Sequence, residues 1–190
     1  MTNGLLVVLA CSVYALFAGA AVMLFKASDR NAQWTKKATL WAGTATAVVI
    51  IRDMLLSNAI DFGAAAVSGA ILLAAGTLFL WSVGEQSQQL RKSGSEAKLQ
   101  YAGSTEPPAQ LTVTGPYRFV RHPIYSSYAL GWIGGAIASL APLAVAMTLI
   151  MLALYVVSAR TEEHAILRSD FADTYRRYQQ STTMFIPFLF

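Results

Sequence analysis

Two short stretches of this 190-residue chain combine residue types that can do chemistry. The first, GPYRFVRHPIYSSY, covers residues 115–128 and sets Arg118, Arg121 and His122 just ahead of Pro123 and a long apolar run. Proline suits the first turn of a helix, where its missing N–H costs nothing, so Arg121 and His122 mark the start of one. Free N–H groups and the helix dipole favour an anion there. An arginine can grip a carboxylate or phosphate through two parallel bonds. Any single arginine here is explained as well by anionic lipid headgroups; the cluster, framed by Gly115 and two prolines, reads as a ligand site. His122 is open to three roles: general base, hydrogen-bond donor to a ligand, or helix cap. The last two suit it better. Tyr125 falls in the first helical turn, beside any bound ligand. Tyr128 and Trp132 share its face and read as an aromatic belt at the membrane surface.

The second stretch is the pair Glu162-Glu163. Between the two stretches lie apolar runs over residues 123–140 and 142–159, joined only by Ser139-Leu140-Ala141-Pro142. So short a link forces a tight antiparallel hairpin. The start of one helix and the end of the next then lie at the same depth, and the Glu pair meets the Arg–His cluster. Adjacent residues on a helix point about 100° apart. Glu163 lies on the apolar stripe and is expected to face inward. A salt bridge from either Glu to Arg118, Arg121 or Arg160 is an equally good account of each alone. A carboxylate beside an anion-binding helix end suits a zwitterion, such as the aminoacyl end of S-adenosylmethionine. Aromatic faces nearby would attract its sulfonium.

The elements that position these groups follow from composition. The chain is 55% hydrophobic and 13% charged, against about 25% charged residues in a soluble domain. Candidate spans cover residues 4–25, 38–51, 62–83, 123–140 and 142–159, each long enough or nearly so for a bilayer core of about 30 Å. The expected fold is all-α and integral to the membrane. It has about five transmembrane helices and a C-terminal amphipathic helix on the cytoplasmic face. One domain is expected over residues 1–190: three spans to residue 83, a cytoplasmic connection over 84–114, and a helical hairpin with a C-terminal helix over 115–190. The first run lacks a basic leader and is too long for a signal peptide. In the connection, EQSQQLRKSGSEAKLQ reads as a surface helix and GSTEPPAQ as a loop. Glu163, Leu167, Phe171, Tyr175 and Tyr178 recur at spacings of four and three, one face of a helix continuing the fifth span. MFIPFLF closes the chain as an apolar plug.

Basic residues alternate between rich and poor loops, which places the N-terminus outside and the C-terminus in the cytoplasm, in a prokaryotic plasma membrane. Cys11 is the only cysteine, so neither an intrachain disulfide nor a Cys metal site is expected. His122 and His164 show no ligand spacing, and no metal is expected. No nucleic-acid partner is expected; membrane lipids and a lipophilic substrate are. Arg52-Asp53, near the far end of the second span, reads as an interfacial pair.

Together, GPYRFVRHPIY, the hairpin, TEEHAIL, FADTYRRY and the closing FIP resemble the isoprenylcysteine carboxyl methyltransferase family, which belongs with the membrane phospholipid methyltransferases. The resemblance covers residues 111–187. It implies a cytoplasmic S-adenosylmethionine site. Gly115, Pro116, Tyr117, Arg121, His122, Pro123 and Tyr125 would wrap one side of the cofactor, and Glu162 and Glu163 would close the other. It implies methyl transfer to a carboxylate, thiol or amine of a lipophilic small molecule or lipid. In-line displacement needs positioning rather than an obligatory catalytic dyad, so no residue is assigned a certain catalytic role; Arg121 and Tyr125 are the positioning candidates. Two departures stand out. Ser127 occupies a position commonly Gly in the family, and VGEQSQQL lacks the Trp often found after the third span. Gly131, Gly135 and Ser139 allow close helix approach, for packing rather than for a lateral substrate gate. An NADPH-dependent sterol-type reductase and a non-catalytic scaffold are the alternatives. The adjacent Glu pair and the short cytoplasmic loop weigh against the reductase.

Overall fold

The apolar runs fold as helices, because a backbone in lipid must satisfy its own hydrogen bonds. The computed structural model describes residues 2–25, 33–56, 61–92, 108 and 110–187. Six helices follow in order: α1 (Thr2–Phe25), α2 (Gln33–Leu56), α3 (Phe62–Lys92), α4 (Pro123–Ser139), α5 (Pro142–Ile166) and α6 (Ala172–Ser181). A 3-10 turn over Gly115–Arg118 precedes α4. Among the described residues the fold is all-α, with one isolated parallel bridge between Val120 and Thr183. Three helices are long and apolar enough to cross a membrane: α2 over Thr39–Leu56, α3 and α5. The apolar stretch Gly4–Gly19 of α1 and the 17-residue α4 are shorter.

Helix α4 packs against α1, α2, α3 and α5. Its small residues make that possible. A Cβ at Gly131 would sit 2.6 Å from the Phe17 ring, one at Gly135 would overlap the Tyr14 hydroxyl, and one at Gly134 would crowd Ile71 and Leu72 at 3.2 Å. The Tyr14 hydroxyl donates to the Gly131 carbonyl at 3.1 Å, and Ser68 Oγ to the Gly134 carbonyl at 2.7 Å. The small face of α4 is thus filled by α1 and α3 side chains.

Tyr128 and Trp132 do not form a surface belt. Both are buried. Tyr128 packs edge-on to Phe17 and stacks near Phe79. Trp132 stacks on Tyr14 and donates its Nε1–H to the Tyr155 hydroxyl at 2.7 Å. A polar tip that finds an internal partner lets an aromatic ring leave the interface.

Two other expectations change. Helix α3 does not end near residue 83 but runs to Lys92, so Gly84 is a helical glycine, tolerated at about 1 kcal/mol. Arg91 and Lys92 sit in its last turn, where positive charge complements the dipole. The surface helix expected from residue 85 is thus continuous with α3 as far as Lys92; residues 93–107 lie outside the described residues. Nor does α5 continue through residue 178. Ser169 Oγ donates to the Ile166 carbonyl at 2.7 Å, and the Phe171 N–H donates to Ser169 Oγ at 3.2 Å. This local bonding competes with the helix and turns the chain between α5 and α6. The α4–α5 link is as short as expected. Leu140 takes a left-handed conformation, φ 51°, and Pro142 opens α5. Arg52 is exposed and Asp53 half-buried, with no ion pair between them among the described residues.

Candidate functional site

Gly115 opens the 3-10 turn at φ 60°, a conformation that favours glycine. A Cβ there would also lie 2.8 Å from the Glu85 side chain. The turn buries Pro116 and Tyr117. From Val120 the chain runs beside the C-terminal segment. The Arg121 N–H donates to the Thr183 carbonyl at 2.8 Å and the His122 N–H to the Met184 carbonyl at 3.1 Å. Pro123 then starts α4. Met184 and Phe185, from the closing apolar stretch, pack against the core; residues 188–190 lie outside the described residues.

The convergence expected from the short hairpin is present, and both glutamates share in it. Arg121 Nε donates to Glu163 Oε1 at 2.7 Å, and the same guanidinium donates to the Thr182 carbonyl. His122 Nε2 lies 3.2 Å from Glu163 Oε1 and its Nδ1 lies 3.5 Å from Glu162 Oε2. The Tyr125 hydroxyl donates to Glu162 Oε1 at 2.6 Å. Gln179 Nε2, from α6, donates to Glu163 Oε2 at 2.9 Å. His122 is the residue before α4, but its side chain makes no capping bond; it turns to the glutamates instead. Burial alone would lower the His122 pKa, but its hydrogen bonds to Glu162 and Glu163 prevail and raise it above the usual value. An imidazolium and a guanidinium thus face two carboxylates.

Beside this network lies a cavity of about 60 Å³. Of the residues expected at a site, Tyr117, Arg121, His122, Pro123, Tyr125 and Glu162 line it. Gly115 and Pro116 shape the turn but are not among the lining residues. Glu163, expected to be the inward member of its pair, is also not among them; it braces Arg121 and His122, and Glu162 lines the cavity. Arg118 is exposed, with its guanidinium 4.9 Å over the Phe119 ring, and takes no part.

Sequence reasoning missed two walls. Gln86, from the last turns of α3, lines the cavity, as do Tyr175 and Tyr178 of α6. The tyrosines carried a signal, since both lie on the spaced apolar stripe. Gln86 carried little, since it sits in a run of similar polar residues. The Tyr178 hydroxyl donates to the Tyr117 carbonyl and so ties α6 to the turn. The Tyr117 hydroxyl is buried with no hydrogen-bond partner among the described residues, and burial pushes its pKa up, so it stays a donor at neutral pH. No group of three metal-ligating side chains occurs among the described residues.

The part of this site built on α3, α4 and α5 lies inside a region of known kind, while Tyr175, Tyr178 and Gln179 lie beyond it. The sequence model of the phospholipid methyltransferase family matches residues 64–174. The match covers more than half of the chain and includes both Arg121-His122 and Glu162-Glu163. The chain belongs to that family of membrane methyltransferases. Comparison with curated proteins and with solved structures gave no match.

Proposed function

We propose that the protein is an S-adenosylmethionine-dependent methyltransferase of the isoprenylcysteine carboxyl methyltransferase kind. On this reading it methylates a carboxylate, thiol or amine of a lipophilic substrate. The observation that carries the proposal is the cavity where the start of α4 and the end of α5 meet, with cationic and anionic side chains in balance. The donor set fits such a cofactor. Glu162, held by Tyr125, offers a carboxylate to an ammonium. Arg121, His122 and the first N–H groups of α4 offer positive charge to a carboxylate. The lone Tyr117 hydroxyl is a buried donor awaiting a partner, and such groups are costly to leave unmade.

Bound there, S-adenosylmethionine would supply a methyl group carried on a sulfonium. The chain's own residues would orient and shield. A carboxylate or thiolate acceptor needs no base, and His122, held between two carboxylates, is poorly placed to act as one. A cavity of about 60 Å³ holds a few waters, less than a whole donor, so admission requires the walls to part. The wall formed by α6 is held by hydrogen bonds rather than by a spanning helix, and it is the natural one to move.

On this reading the N-terminus lies outside, the C-terminus in the cytoplasm and the site at the cytoplasmic face. Cysteine labelling decides that orientation: in a Cys11→Ser background, Arg168→Cys should react with impermeant reagent only after the membrane is opened. For the activity, membranes holding the protein are incubated with methyl-labelled S-adenosylmethionine and fractionated. Label should enter a lipid-extractable or peptide product, and Glu162→Gln should abolish it. Saturable NADPH binding without S-adenosylmethionine binding would favour the reductase instead. Glu162→Gln and His122→Ala variants with unchanged ligand affinity would favour the scaffold.

A further inference from the structure

The cavity has a neutral polar side that the charged network does not use. Gln86 projects into it from α3, and Tyr117 from the 3-10 turn. Gln86 is 9% exposed, and its side chain has no hydrogen-bond partner among the described residues. The nearby polar groups are committed to one another. Thr114 Oγ1 donates to Glu85 Oε1, and Gln89 Nε2 donates to Thr114 Oγ1 at 2.8 Å. Gln86 stands one residue from Glu85 yet is left out of that cluster. Two polar side chains, from two elements, thus meet one cavity, and of the two the Tyr117 hydroxyl is buried without a partner among the described residues. Leu111, Ile124 and Ile166 add apolar lining to the same cavity.

We infer that Gln86 reads the edge of the donor's purine base and that the Tyr117 hydroxyl takes its missing partner from the same nucleoside. The inference rests on the proposed donor and goes beyond it by assigning the base a recognition residue. Its logic is complementarity. The charged groups answer the aminoacyl end, which leaves the nucleoside for the neutral groups. A carboxamide presents one donor and one acceptor in a plane. Adenine presents the matching pair at its N6 amine and N7, the pairing by which glutamine selects adenine elsewhere. Apolar walls suit the faces of a flat ring.

The test measures binding, not turnover. Protein purified in detergent is titrated by calorimetry with S-adenosylhomocysteine and with its nebularine analogue, in which hydrogen replaces the N6 amine. The wild-type protein should prefer the amine-bearing ligand by about tenfold, the size of one good base contact. Gln86→Leu should erase that preference while its melting temperature stays near that of wild type. Tyr117→Phe should weaken both ligands alike. If the wild-type protein binds both equally, the inference fails whatever the variants do. A preference that survives in Gln86→Leu sinks it too, as does unchanged affinity in Tyr117→Phe for that residue's share. If neither ligand binds at all, the donor reading itself fails, a result distinct from the others.

Discussion

Glu163 is the hub of the polar network, with Arg121, His122 and Gln179 all on its carboxylate. Replacing it with glutamine leaves the buried His122 and the half-buried Arg121 short of opposite charge. Breaking a buried pair from one side costs about 3 kcal/mol or more, so Glu163→Gln should lower the melting temperature sharply. Tyr125→Phe removes the hydrogen bond to Glu162 and should cost about 1.5 kcal/mol. Thermal melts in one detergent rank the two, and equal losses would argue against the hub. His122 adds a dependence on pH. Its folded pKa is raised above an unfolded value of about 6.5. The stabilisation from the imidazolium is therefore fully present below about 6.5 and is lost as pH rises through the folded pKa. Melting temperature should fall over that window in the wild-type protein, and His122→Gln should flatten the fall. The groups facing the ring are Glu162 and Glu163 of α5, the ring of Tyr125 on α4 and that of Phe185 in the closing segment.

At the scale of elements, the C-terminal segment acts as a strap across the Arg-His-Pro corner. Thr183 and Met184 accept the backbone N–H groups of Arg121 and His122, and the Phe185 carbonyl accepts from Ser126 Oγ at 2.7 Å. A chain ending at Ser181 would leave those donors without partners. It should lose ligand affinity and become sensitive to protease near residues 115–122, while α4 and α5 stay protected; limited proteolysis of detergent-purified protein reads this out. The strap was hard to see in the sequence, whereas the hairpin was plain. Pro123, the brief Ser139–Pro142 link and the Glu pair fix depth by geometry alone, so the meeting of Arg121 with Glu163 could be reasoned out. The pairing of Val120 with Thr183 joins residues far apart in sequence with no pattern to announce it. The Ser169 turn was masked by a stripe that keeps its spacing across the break. The reach of α3 past Gly84 was hidden because a helix-weakening glycine sits where apolar residues give way to polar ones. Gln86 was lost with it, since a residue assigned to a separate surface helix has no wall to stand in.

At the scale of the whole molecule, the family match begins at residue 64 and the polar site draws nothing from α1 or α2, yet the site helix leans on both. Phe17 and Tyr14 fill the glycine face of α4, and Ile50 of α2 also lies 3.0 Å from where a Gly135 Cβ would be. The burial of Tyr128 and Trp132 depends on the same neighbours.

A fragment starting at Phe62 would retain every side chain named for binding and still expose a notch to lipid along its central rod. It should be inert by itself and regain ligand affinity when residues 1–61 are co-expressed as a separate polypeptide, which would make the N-terminal third of the chain an internal chaperone for the rest.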